Sequence, residues 1–152
     1  MTCRSFFAII TAVVAFMISC QNEEAAVASG AWSVSSPGNK IKVRVMLDDG
    51  KLYYTAVLKP SDAAVVGKSP LGLKLQKSDL SDNLRVFRID STVVNVNYTL
   101  RTGKQLVNTA EGSALAIYFS NARDTAVVQF QVFDDGFAFR YVVEGSGDYR
   151  VI

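Results

Sequence analysis

Apolar and polar residues alternate along most of the chain with a period of two, which is the pattern of a β-strand with one buried face. The clearest example is Ile41–Leu47, in which Ile, Val, Val and Leu are separated by Lys, Arg and Met. Asp48-Asp49-Gly50-Lys51 follows, and this composition predicts a tight turn. Leu52–Leu58 is then predicted to return as the hairpin partner.

The same alternation continues to the end of the chain, with turn residues between the segments. Strand-like segments occur at Leu71–Leu75, Arg85–Ile89, Val94–Leu100, Leu115–Phe119, Ala126–Val132 and Phe137–Val143. Turns are predicted at Pro60–Asp62, Asn121–Asp124 and Asp134–Gly136. About eight or nine short strands without a sustained helical stripe predict an all-β fold, an antiparallel β-sandwich. Tyr149–Ile152 resembles the start of another strand, so we expect this sandwich to be incomplete at its C-terminus.

The N-terminal segment differs from the rest of the chain and is predicted to be a lipoprotein signal peptide, residues 1–19. Arg4 precedes a run from Phe6 to Ile18 that is apolar except for Thr11, which is typical of a secretory signal. A transmembrane helix is the alternative, but it needs about 20 apolar residues. Met17-Ile18-Ser19-Cys20 resembles a bacterial lipobox, so Cys20 is the predicted site of lipidation.

A second processing site competes with Cys20. Ala26-Val27-Ala28 fits an A-x-A cleavage site that would release a soluble protein. It lies well beyond the apolar run, and lipidation at Cys20 is therefore favoured. Residues 20–31 are predicted to be a lipidated tether, and its Gln21–Glu24 segment resembles the acidic tag of surface-exposed lipoproteins. We expect a cell-envelope protein, an outer membrane lipoprotein that is periplasmic or surface-exposed.

Composition excludes several kinds of chemistry. The 152 residues are 49% apolar and 20% charged and contain no histidine, so the commonest general base and metal ligand are absent. Cys3 and Cys20 are the two cysteines, which argues against a zinc cluster or a disulfide framework. The net charge is +2, and without a basic run no nucleic-acid partner is expected.

Three segments resemble the N-terminal domain of glycoside hydrolase family 97, the bacterial α-glucosidases and α-galactosidases of polysaccharide-utilisation systems. They are Val34–Lys40 leading through the strand to Gly50–Tyr54, Ser69–Leu73, and Phe133–Tyr141, which is similar to the family's F-x-DG-x-AFRY strand pair. The resemblance covers residues 32–152. The sequence departs from the family at Val107–Gly112, where an Arg-Asn-His-Tyr-Asn-Glu-like segment is usual.

The resemblance implies a galactose-mutarotase-like supersandwich that packs against a catalytic (β/α)₈ barrel. The family's catalytic carboxylates and calcium-binding glutamates match no position of this sequence. We therefore expect no catalytic residue and no cofactor in this chain, although calcium is implied for the full-length enzymes. The expected partners are a carbohydrate (an α-glucan or α-galactoside), the missing barrel, and the lipid bilayer through acylated Cys20.

The side chains that could act on a sugar were considered one by one. Glycoside hydrolysis needs two carboxyl groups about 5–9.5 Å apart, and the best local pairs, Asp48/Asp49 and Asp134/Asp135, stand where turns are predicted. Arg140 is expected to form a structural ion pair with a turn aspartate, and substrate binding is its alternative role. Trp32 is the candidate for stacking on a sugar ring, while core packing is its alternative role.

Three functions follow as hypotheses. The first is the non-catalytic N-terminal domain of a family 97 glycosidase, truncated before its barrel. The second is a free-standing carbohydrate-binding envelope lipoprotein, and the third is a structural or partner-binding lipoprotein.

Overall fold

The computed structural model describes residues 29–99, 101–102 and 107–143. These residues form β-strands connected by turns and loops, and none of them is helical. The strands are β1 (Gly30–Ser35), β2 (Ile41–Asp48), β3 (Lys51–Leu58), β4 (Ala63–Pro70), β5 (Leu73–Leu75), β6 (Ser78–Leu80), β7 (Arg85–Thr99), β8 (Val107–Ser120), β9 (Thr125–Val132) and β10 (Phe137–Val143). The predicted all-β class is confirmed.

Two four-stranded antiparallel sheets face each other. The first sheet has the order β1-β2-β3-β4, and the second has the order β10-β9-β8-β7. β1 lies across from β8 and β2 across from β9, while aromatic rings connect β3 to β10. This is the layered arrangement of a β-sandwich.

The core lies between the two sheets and consists of the alternating residues that the sequence pattern indicates. On β2, Val43 and Val45 are fully buried, and on the opposite sheet so are Ile117, Phe119 and Phe130. Their neighbours along each strand are more exposed. Burial of these side chains, at about 25 cal/mol per Å² of apolar surface, is the main stabilising contribution to the fold.

The predicted turn between β2 and β3 is present. Asp48 pairs with Lys51 across a two-residue loop, in which Asp49 has a φ of 48° and Gly50 a φ of 70°. Two positive φ values in succession characterise the type I′ turn, whose twist matches that of the flanking strands. Asp-Gly is a favoured pair there because both residues tolerate this conformation at low cost.

The short hairpin β5–β6 closes one end of the core. Leu73, Leu75 and Leu80 are buried, and the backbone carbonyl of Asp79 accepts a hydrogen bond of 2.7 Å from the side chain of Asn121 in the β8–β9 turn. The sequence pattern predicted Leu71–Leu75 as one strand face. In the structure Leu71 is buried but lies outside β5.

Two elements differ from the sequence prediction. Arg85–Ile89 and Val94–Leu100 were predicted as separate strands, but they lie in one strand, β7, described to Thr99. β8 likewise begins at Val107, ahead of the predicted Leu115. β8 pairs with β9 only from Ser113 onward, so the distal part of the β7–β8 hairpin extends past the sandwich. Val94 and Val96 alternate with asparagines there, yet both are only half-buried, so this part of the hairpin has no fully buried face among its described residues.

β4 was missing from the sequence prediction. Its residues Ala63–Pro70 are exposed or half-buried throughout, with Val65 at 54%. β4 follows β3 in the first sheet, and no strand of the described second sheet lies beyond β10 to face it. A strand without a buried face lacks the alternation by which a sequence reveals it.

Candidate functional site

Cys20, the predicted lipidation site, lies outside the described residues, as do the predicted signal peptide and most of the tether. β1 begins at Gly30, two positions before the expected domain boundary at Trp32. The described residues include no helix with the length and apolar character needed to cross a membrane. Within the described ranges, no group of three or more acidic, histidine or cysteine side chains is placed to hold a metal ion.

Trp32, the candidate for sugar stacking, lies on β1 opposite Val45. Val45 is fully buried, so the side chain of Trp32 is on the core-facing side of its sheet. Trp32 is half-buried and packs against the hydrophobic core. Its position therefore favours the core-packing role over the stacking role.

Both carboxylate pairs lie at turns. Asp48 ends β2, and its Oδ2 lies 2.8 Å from the ammonium nitrogen of Lys68 on β4. This contact raises the pKa of Lys68. Asp49 occupies the type I′ turn described above. Neither member of this pair is buried, whereas a catalytic general acid needs an environment that raises its pKa.

Asp134 joins two of the segments that the sequence analysis singled out. Its Oδ1 accepts a hydrogen bond of 2.8 Å from the backbone N–H of Gly38, and its Oδ2 lies 3.8 Å from the Lys40 ammonium nitrogen. A hydrogen bond from Ser36, the Gly38 amide and the charge of Lys40 lower the pKa of Asp134. Asp134 therefore fastens the β9–β10 turn to the β1–β2 loop at the end of the sandwich.

Ser36 stabilises the same loop through hydrogen bonds made by its buried side chain. Its side chain is buried, and its Oγ accepts hydrogen bonds from the backbone N–H groups of Lys40 (3.0 Å) and Ile41 (3.2 Å). Its backbone also bonds with Asn39 and Ile41. The part of this segment after β1 is thus a closed loop held by the Ser36 hydroxyl and two backbone hydrogen bonds, which is a structural role.

Aromatic side chains concentrate where β3 faces β10. The Tyr54 ring lies 5.4 Å from that of Phe139 and 5.8 Å from that of Phe130, and the Phe139 ring lies 5.9 Å from that of Tyr141 at 90°. Such tilted and edge-on contacts are favourable between aromatic rings. These rings fill the last part of the space between the sheets.

This aromatic cluster is open to one side. Phe139 pairs with the fully buried Phe130, so it projects between the sheets, yet it is 39% exposed. Among the described strands, β10 has β9 as its neighbour on one edge and none on the other. The edge of β10 away from β9, the rings of Tyr54, Phe139 and Tyr141, and the inward-facing Val66 of β4 are called the open side below. The sequence placed Phe139 on a buried face, because alternation does not reveal whether a further strand follows.

Arg140 differs from its expected role. It is exposed, and its Nε donates a hydrogen bond of 2.9 Å to Oε1 of Gln129 on β9. The expected partner was a turn aspartate. Gln129 is the cross-strand neighbour of Arg140, and the turn aspartates lie beyond the start of β10, so the register selects the amide instead.

The chain was compared with known families and proteins. The family described as Glycosyl-hydrolase 97 N-terminal matches residues 34–152. The "Probable retaining alpha-galactosidase" of Streptomyces bingchenggensis is 30% identical over 151 residues, which cover 95% of this chain and 24% of that protein. The chain thus spans about a quarter of this curated relative.

Solved structures show the same fold. A glycoside hydrolase family 97 enzyme from Pseudoalteromonas sp. strain K8 in complex with acarbose gives a TM-score of 0.70 at 20% identity, covering 79% of this chain and 19% of that one. Its E480Q form in complex with panose gives a TM-score of 0.68 at 21% identity with the same coverage. A β-arabinopyranosidase gives 0.69 at 23% identity, covering 76% of this chain and 18% of the other. The family match extends over most of the chain, and the chain belongs to the glycosyl-hydrolase 97 N-terminal family.

Proposed function

We propose that this chain acts as the non-catalytic N-terminal domain of a family 97 glycosidase, and that its open side is the surface that other parts of the enzyme cover. The observation that carries the proposal is the exposure of Phe139. An aromatic side chain that projects between two sheets is normally buried, and an uncovered apolar surface beside a free strand edge is typical of an interaction site.

The absence of hydrolysis from this domain is supported by the placement of its carboxylates. Asp48 and Asp134 are engaged with Lys68 and with the Gly38 amide respectively, and both lie at turns. A glycosidase needs one carboxyl group kept protonated and a second one ionised, on either side of the glycosidic bond. Catalysis in the enzyme is assigned to its barrel domain, and this domain supports the barrel.

An activity assay tests the non-catalytic assignment. The full chain is incubated with p-nitrophenyl α-glucoside and p-nitrophenyl α-galactoside, and release of nitrophenol is followed. No release above that of buffer is expected. Release that persists on repurification, and that is lost in Asp134→Asn or Asp48→Asn, would overturn the assignment.

The open side is tested by self-association, because an uncovered apolar edge promotes contacts between copies. Sedimentation of the full chain in density-matched detergent micelles should show associated species. Phe139→Ser should reduce the associated fraction by about twofold or more. Val142→Ser is the matched control, since Val142 is equally exposed (39%) on the same strand but projects from the outward face of the sheet. Equal effects of both substitutions, or a monomeric wild type, would contradict the proposal.

We also propose that Cys20 anchors the domain in the cell envelope as an outer membrane lipoprotein. The support is the Met17–Cys20 segment at the end of the apolar run, and several acyl chains at about 0.8 kcal/mol per buried CH₂ give stable anchoring. In a bacterial host, Cys20→Ser should abolish palmitate labelling and release the protein from the membrane fraction. Cys3→Ser is the control, and labelling that survives Cys20→Ser would refute the anchor.

A further inference from the structure

The outward face of the second sheet carries an ordered array of small and polar side chains. In the cross-strand register, Ala138, Gln131, Ala114 and Thr92 form one row, and Arg140, Gln129, Ala116 and Asp90 form the next. Alternate residues of a strand share a face, so both rows project away from the core. These two rows are called the polar platform. Alanines form its floor, and amide, guanidinium and hydroxyl groups stand above them.

A shallow depression lies at the β9–β10 part of the platform. It has a volume of about 120 Å³ and is lined by Gln129, Gln131, Ala138, Phe139 and Arg140. It is smaller than the clefts of about 300–1,000 Å³ that enclose whole small molecules. The depression therefore suits one unit of an extended ligand that lies across the strands.

The polar groups of the depression are positioned before any ligand arrives. Arg140 Nε donates to Gln129 Oε1 at 2.9 Å, which fixes both side chains relative to each other. A guanidinium has five N–H donors, of which this bond uses one, and the amide of Gln129 has two donors of its own. Planar groups with several fixed donors can bind two neighbouring oxygens at once.

The charges of the platform favour a neutral ligand. Arg88 Nη2 lies 2.8 Å from Asp90 Oδ2, so the carboxylate of the platform is neutralised by a neighbour on its own strand. Arg88 also stacks on Tyr118, with its guanidinium carbon 4.9 Å from the ring centroid. Arg140 thus stands among amides and alanines, an arrangement that offers hydrogen bonds and lacks the cation cluster that selects phosphate or sulfate.

We propose that the polar platform binds a neutral oligosaccharide, with Arg140 and Gln129 donating hydrogen bonds to neighbouring hydroxyl oxygens of one sugar unit. Sugar hydroxyls accept and donate hydrogen bonds, as do the amide groups of Gln129 and Gln131. The choice of a carbohydrate rests on the proposed role within a glycosidase. The platform is on the opposite face of the sheet from the open side, so the two surfaces can be tested separately.

The test is a calorimetric titration of the full chain with panose, in a detergent without a sugar headgroup. Saturable binding is expected, and Arg140→Gln should weaken it about tenfold, which is about 1.4 kcal/mol. Ala138→Gln, which places a long side chain on the exposed floor of the depression, should abolish it. Arg44→Gln is the matched control, because Arg44 is an exposed arginine on the first sheet, and it should bind as the wild type does.

The outcomes separate this inference from the proposed function. Val66→Ser alters the open side without touching the depression, and it should leave the panose affinity within about twofold of wild type, whatever it does to association. Absence of saturable binding in a chain that melts cooperatively would overturn the platform and leave the docking role intact. Equal weakening by Arg140→Gln and Arg44→Gln, or tighter binding of a sulfated oligosaccharide than of panose, would also overturn it.

Discussion

The hydroxyl of Tyr141 donates a hydrogen bond of 3.0 Å to the backbone carbonyl of Leu71. Tyr141 belongs to the last described strand of the second sheet, and Leu71 is the buried residue that follows β4. The bond therefore ties the two sheets together beside the open side. It also joins the Ser69–Leu73 and Phe133–Tyr141 segments, just as Asp134 joins the latter to Val34–Lys40. The segments by which the sequence resembles its family are thus connected to one another by hydrogen bonds between distant parts of the sandwich.

Tyr141→Phe should lower stability by about 0.5–1.5 kcal/mol, because a half-buried hydroxyl–carbonyl bond is lost while the ring remains. Urea unfolding of the full chain measures the change. Tyr98→Phe is the control, since Tyr98 is 48% exposed on the distal hairpin, and it should be close to neutral. Equal losses in both variants would show that the Tyr141–Leu71 bond contributes nothing specific.

Tyr141 also predicts a stability change at high pH. Burial, together with the neighbouring Tyr54, raises the pKa of Tyr141 from 10.0 to about 12. The folded state therefore holds the phenol proton more tightly than the unfolded state does. This contribution is complete below pH 10 and is lost as the pH rises towards about 12. The melting temperature of the wild type should fall more steeply across this range than that of Tyr141→Phe, and parallel curves would contradict the prediction.

Asp134 predicts a stability change at low pH. Ser36, the Gly38 amide and Lys40 lower the pKa of its carboxyl from 3.8, so the folded state favours the ionised form. The stabilisation is present above pH 3.8 and is lost as the pH falls through the lower folded value. In a plot of melting temperature against pH, Asp134→Asn should reduce the slope between about pH 5 and about pH 2. Asp135→Asn, one residue further along the same turn, serves as the control and should leave the wild-type slope.

Gly112 and Phe133 are in close contact at the base of the distal hairpin. A Cβ at position 112 would lie 2.6 Å from Cε1 of the Phe133 ring, so Gly112→Ala should destabilise the chain by about 1–3 kcal/mol. Adding Phe133→Leu should relieve part of that loss, which is measured as a non-additive double-mutant cycle. Gly136→Ala is the control, because a Cβ there meets no atom within 4 Å and φ is ordinary. If the stability losses of Gly112→Ala and Phe133→Leu simply add in the double variant, the two residues do not interact and the prediction is wrong.

Ile117 and Ile89 form a cross-strand pair on the inward face of the second sheet, yet their exposures are 0% and 36%. Ile117→Val should cost about 0.5–1.5 kcal/mol, since a methyl group is removed from a packed core. The same substitution at Ile89 should be nearly neutral, because its side chain is 36% exposed and therefore less closely packed. Thermal unfolding of the two variants compares them directly, and equal costs would mean that Ile89 is packed as tightly as Ile117.

The pattern of residues along the chain determined much of the fold. Ile41–Leu47 and Ala126–Val132 were identified as strands because both lie in the middle of a sheet, where the inward residues are buried and most outward ones are at least partly exposed. Val127, at 5% exposure, is the exception. The Asp49–Gly50 turn was identified because few residue types tolerate two successive positive φ values. The turn roles of Asp48 and Asp134 could likewise be inferred from the glycine that follows each pair. Cys20 remains a prediction from sequence.

The tertiary structure decided which strands have neighbours. β4 was missed because none of its residues is buried, so it lacks a regular apolar face. Phe139 was placed on a buried face because alternation shows which residues share a face of a strand and does not show whether another part of the protein covers that face. The partner of Arg140 depended on register, which places Gln129 beside it and the turn aspartates out of reach. The sequence thus determined that each strand has one apolar and one polar face, because this alternation depends only on neighbouring residues. The open side and the polar platform arise from how separate strands line up, which only the packed sheets define.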